Sequence, residues 1–104
     1  MTIPDACTLP TAERPLRLAE FDALFAAALR AQQRPSATVL RWELDPAAEA
    51  TTRDLTARET ACCSFFTFTV RPGPAALRVD ITVPPAHADV LDALEQRAAA
   101  QVRA

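Results

Sequence analysis

The sequence predicts an α+β domain in which three helices pack on a small three- or four-stranded, mainly antiparallel sheet, in the order α-β-α-β-β-α. Three observations carry that expectation. The chain has 104 residues, half of them apolar and 23% charged, enough for a two-layer core and too apolar to stay disordered. Apolar and polar residues alternate through Leu40–Leu44, Phe66–Val70 and Leu77–Val83, the period of strands with one buried face. Apolar residues three and four apart recur across residues 18–32, 47–63 and 86–102, the period of helices with one buried stripe. No internal repeat or low-complexity linker divides the chain, so residues 1–104 read as a single domain.

Taken in order, residues 1–17 hold Pro4, Pro10 and Pro15, too many for a regular helix. They read as an extended N-terminal arm, with Cys7 in a stretch that could add an edge strand. The first helix, 18–32, gathers Leu18, Phe21, Leu24, Phe25, Ala28 and Leu29 on one face, and Pro35 helps to stop it. In the next strand Leu40, Trp42 and Leu44 point one way and Val39, Arg41 and Glu43 the other. Asp45-Pro46 then supplies an N-cap and a first-turn proline. The second helix, 47–63, has a small, weakly hydrophobic inner stripe of Ala48, Thr52, Leu55, Glu59 and Cys62. A β-hairpin follows, with Phe66, Phe68 and Val70 on one strand and Leu77, Val79, Ile81 and Val83 on the other, turning at Pro72-Gly73-Pro74. The last helix, 86–102, turns His87, Val90, Leu91, Leu94 and Ala98 inward.

Charge and composition exclude several functions. The formal net charge is −2, with eleven Arg and no Lys, and no basic stripe of the kind that marks nucleic-acid binding. The lack of Lys, Asn and Tyr fits the coding bias of a GC-rich genome. No run reaches the roughly 18 apolar residues of a membrane span, and the N-terminus lacks a basic start with an apolar run. A cytoplasmic location is expected, where cysteines are mostly reduced and serve as thiols or metal ligands. The chain has three cysteines, which cannot all pair within one molecule.

Two of those cysteines stand together in Glu59-Thr60-Ala61-Cys62-Cys63-Ser64-Phe65-Phe66. Thiolates are soft ligands that favour Zn(II), Cu(I), Hg(II) and As(III). Adjacent side chains diverge by about 100° on a regular helix, so Cys62 and Cys63 converge only if the helix ends there. Cys7 would complete a three-sulfur site suited to Hg(II) or As(III); Glu59 or His87 could add a fourth ligand for tetrahedral Zn(II). The pattern has no Cys-x-x-Cys and no zinc-finger spacing, and buried cysteines at a helix–strand junction are the plain alternative. An enzyme reading would use Cys62 or Cys63 as nucleophile or redox thiol with Glu59 as proton donor or acceptor, His87 being the only histidine. Against it, a helix C-terminus disfavours a thiolate unless a bound cation reverses the field.

Ala6-Cys7-Thr8-Leu9 and Glu59-Thr60-Ala61-Cys62-Cys63-Ser64-Phe65 resemble a family of small bacterial proteins with an N-terminal Cys-x-Leu and a later Glu-x-x-Cys-Cys-x-Phe, associated with heavy-metal and arsenic resistance. The resemblance runs over nearly the whole chain and implies a site shared by Cys7, Glu59, Cys62 and Cys63. Over about ten residues the Cys-Cys pair and its aromatic strand are also similar to organomercurial lyase, in which Cys7 and Glu59 would have to supply the second cysteine and the acid. The leading expectation is thus binding of a thiophilic metal or metalloid through Cys7, Cys62 and Cys63 beside Glu59, with His87 the weakest ligand candidate, for sequestration, sensing or detoxification. The rivals are a thiol-dependent enzyme and an interaction module, a homodimer sharing a hydrophobic sheet face.

Overall fold

The computed structural model describes the backbone of residues 14–62 and 65–103, and the side chains of residues 19–61 and 65–101. Its elements are α1 (Arg14–Ala28), β1 (Leu29–Ser36), β2 (Val39–Leu44), α2 (Glu49–Cys62), β3 (Thr67–Arg71), β4 (Leu77–Thr82) and α3 (Ala88–Arg103), with short 3-10 turns at Pro46–Ala48 and Pro85–His87. The fold is α+β as expected, a four-stranded antiparallel sheet in the order β1-β2-β4-β3. All six expected elements are present in their expected order.

The fourth strand is not the expected N-terminal one. The first helix ends at Ala28 rather than residue 32, and Leu29–Ser36 turns back as β1 against β2. The backbone N–H of Asp45 donates to the Ala28 carbonyl at 2.9 Å, satisfying one of the orphan acceptors at the helix end. At its other end α1 includes Arg14–Arg17, which the sequence assigned to the arm. Pro15 is tolerated there because a first-turn N–H has no helical partner to lose. The rest of the expected arm, with its candidate edge strand, lies outside the described residues.

Register builds the apolar face of the sheet. Leu40, Ile81 and Phe68 form one cross-strand row, Trp42, Val79 and Val70 the next, and Leu44 with Leu77 a third. Strand pairs in register share a face, and the three helices cover this one. Phe21, Leu24 and Phe25 from α1 and Val90, Leu91 and Ala98 from α3 are buried against it. Trp42 is the centre: it is fully buried, meets Phe25 edge-on with ring centroids 4.8 Å apart, and donates from Nε1 to Gln32 Oε1 at 2.8 Å.

The opposite face is open and polar, with Arg41 on Asp80 at 2.8 Å, Glu43 near Arg78, and Thr67, Thr69 and Arg71 exposed. The hydrophobic face that two copies were expected to share is therefore already under the helices. Among the described residues no helix is long and apolar enough to cross a membrane.

Candidate functional site

The second helix is described as far as Cys62, and by Thr67 the chain is a strand, so the helix–strand junction falls in the short stretch that carries the cysteine pair. The β-rich Phe-Phe that follows accounts for the change, since aromatic side chains fit a pleated, half-buried surface. Phe66 is buried and Phe65 half-buried. The two rings lie 4.6 Å apart, and Phe66 continues to Phe68 at 5.3 Å.

His87 joins this aromatic row. It sits in the 3-10 turn before α3, not on the inner face of that helix, and its ring stacks on Phe65 at 4.4 Å with 23° between planes. Stacking uses the face of the imidazole and leaves both nitrogens, which lie in the ring plane, available. Neither nitrogen has a hydrogen-bond partner among the described residues. The sequence marked His87 as the least likely ligand, a solvated or capping residue. The fold instead brings it against the residue that stands two places after Cys63.

Glu59 is half-buried in the last turn of α2, which holds no basic residue, and it makes a polar contact of its own. A helix C-terminus carries about half a negative charge from its free carbonyls. That field disfavours thiolates and favours a cation. The neighbouring Arg58 turns away, donating to both carboxylate oxygens of Glu20 at 2.9 and 3.0 Å and to Asp54. Its guanidinium pKa is raised, mostly by the Glu20 hydrogen bond, with desolvation opposing and Asp54 adding to the rise.

That Arg58–Glu20 pair also fixes the direction of the two helices. Asp45, just before α2, is bonded to the end of α1, while Arg58 near the end of α2 meets Glu20 in the first half of α1. The helices therefore run antiparallel. Arg14 lies six residues before Glu20, about 9 Å further along α1, and Cys62 four residues after Arg58, about 6 Å further along α2. The start of α1 and the end of α2 share one end of the helical layer, the end where His87 stacks on Phe65.

Cys7, Cys63 and the side chain of Cys62 lie outside the described residues. Among the described residues no three His, Cys, Asp or Glu side chains come together as a metal cluster. No protein-family model, curated protein or solved structure matches the chain.

Sequence reasoning missed what holds the layer above this end. Arg34 on β1 donates to Glu95 at 2.8 Å and to the carbonyls of Ser36, Ala37 and Ala88, and pairs with Asp92 at 2.9 Å. Gln32 adds a bond to the Glu95 carbonyl at 3.0 Å. A polar residue in a strand carries no signal of such a clamp until the helix above it is placed.

Proposed function

We propose that this protein binds a thiophilic metal or metalloid ion through Cys7, Cys62 and Cys63, with Glu59 as neighbour and His87 as a further ligand for a tetrahedral ion. The observation that carries the reading is the antiparallel run of α1 and α2, which brings the start of α1, seven residues after Cys7 in sequence, and the end of the helix bearing Cys62 to one end of the helical layer. The seven residues from Cys7 to Arg14 can span up to about 24 Å, ample for a thiol to return to that end. The negative end of α2, with Glu59 and no basic residue in its last turn, suits a cation. Binding of Hg(II) or Zn(II) then releases the thiol protons, whereas As(OH)3 exchanges its three hydroxides for thiolates and the thiol protons leave in three waters.

Three sulfurs with no Cys-x-x-Cys chelate favour a trigonal or pyramidal ion, so Hg(II) and As(III) rank ahead of Zn(II) and Cu(I). The role is sequestration, sensing or transfer under metal stress, in the cytoplasm. The test is thiol alkylation of the reduced protein, read by mass spectrometry with and without As(III), Hg(II) or Zn(II). One equivalent should protect all three cysteines together and leave one bound ion. Full, independent alkylation with no ion retained would sink the reading. Even outer-shell partners are worth about 10–100-fold in metal affinity, so each Cys→Ser variant should weaken binding by at least that. A Glu59→Gln variant that binds normally but loses turnover would point to the enzyme.

A further inference from the structure

We infer that β3 is the surface through which two copies of this chain associate, pairing antiparallel with itself to continue the sheet across a two-fold axis. The two edges of the sheet are built differently. β1 is defended: it carries Pro35 and two register irregularities, between Leu29 and Ala31 and between Gln33 and Ser36, and it lies under the Arg34 clamp to α3. Proline, bulges and covering groups are the devices that stop an edge from recruiting another strand. Among the described residues β3 has none of them. Thr67–Arg71 holds no proline, pairs with β4 in unbroken register, and has no described strand on its other side.

Its side chains are self-complementary about Thr69. With Thr69 opposite its own copy, Phe68 faces Val70 of the second copy on the helix side, and Thr67 faces Arg71 on the open side. The rows Leu40–Ile81–Phe68 and Trp42–Val79–Val70 then run on into the second molecule. Phe68 and Val70 are the members of those rows left half-buried. They form the floor of an open groove of about 420 Å³ whose wall is Arg53, Thr56, Ala57 and Thr60 of α2. The small side chains at Ala57 and Thr60 leave room for the apolar groups of the facing strand. No like charges oppose each other in this register, since Arg71 meets Thr67. A five-residue strand makes a small interface, so the dimer is weak and concentration-dependent.

The test is sedimentation equilibrium of the reduced, metal-free full chain from low to high micromolar concentration. The wild type should move from monomer to dimer. Thr69→Arg and Thr69→Glu each put a charge opposite its own copy and should weaken association at least about tenfold, whereas Gln33→Arg on the β1 edge should not. Thr69 is exposed beside Asp80, and an equimolar mixture of the two Thr69 variants should recover the dimer, which a misfolded variant could not. A wild type that stays monomeric throughout, or a dimer indifferent to both Thr69 substitutions, overturns the inference. So does a monomer whose β3 amides resist hydrogen exchange on both edges, which would place residues 1–13 there instead.

Discussion

The two flanks of the helical layer are held by different means. On one flank, α3 presses Val90, Leu91 and Ala98 into the core beside Phe21, Leu24 and Phe25 of α1, and Arg34 and Gln32 of β1 bond to its backbone and acids. On the other, α2 offers one large apolar anchor, the fully buried Leu55. Around it stand threonines that bond to their own helix: Thr56 Oγ1 to the Thr52 carbonyl at 2.8 Å, Thr60 Oγ1 to the Thr56 carbonyl at 2.9 Å. Such back-bonding spends the hydroxyl on a carbonyl already used in the helix ladder. The Thr52 hydroxyl is buried with no hydrogen-bond partner among the described residues. One flank is built for stability. The other, which carries the cysteine pair, gives stability up.

The sharpest way to break that contrast is at the rigid flank. Trp42→Ala should cost about 3–5 kcal/mol, since it empties the centre of the core and strands Gln32 Oε1. A domain of this size has about 5–15 kcal/mol in total, so urea unfolding followed by circular dichroism should show a midpoint collapse or no folded baseline. A smaller loss would mean that the core recloses easily and that the flanks differ less than their packing suggests.

On the α2 side the sign reverses. Thr52→Val keeps the shape and removes a buried hydroxyl that has no partner among the described residues, so the protein should gain about 1 kcal/mol. The same denaturant titration measures it. A loss instead would show the hydroxyl to be bonded in solution and α2 better anchored than described.

The smallest effect belongs to Arg58→Ala. Its pairs with Glu20 and Asp54 are partly exposed, and screened surface pairs contribute below about 1 kcal/mol. Because the Arg58 pKa is raised above the ordinary guanidinium value, its contribution is fully present below that ordinary value and lost only as pH rises through the raised one. Added salt, and not pH over the ordinary working range, should therefore erase the difference between variant and wild type.

How much of this was legible in the sequence follows the same division. The β3–β4 hairpin, β2 and α3 were readable because Leu77, Val79 and Ile81, or Val90, Leu91 and Ala98, repeat at a period that only one kind of element buries. β1 was not. Leu29, Ala31, Gln32 and Gln33 are helix formers without a β-branched residue among them, and they read as the tail of the first helix. The pairing with β2, Gln32's bond to Trp42 and the Arg34 clamp outweigh a propensity of a few tenths of a kcal/mol per residue. At the candidate site, the change from α2 to β3 was legible from the Phe-Phe at residues 65–66. The placement of His87 was not, because a stack between a turn at residue 87 and a junction at residue 65 depends on where the hairpin delivers the chain. The helix direction that brings the start of α1 to the end of α2 is marked by Arg58 and Glu20, two charges that in sequence look like solvated surface.

One further property follows from Trp42. The chain has a single Trp and no Tyr, so all of its near-ultraviolet emission comes from one indole, fully enclosed and edge-on to Phe25. Native emission should be strongly blue-shifted and should move red in a single step as the rigid flank opens. Changes confined to the α2–β3 junction would leave that emission unchanged. Paired with thiol reactivity, that one fluorophore separates the unfolding of the domain from events at its cysteine end in the same cuvette.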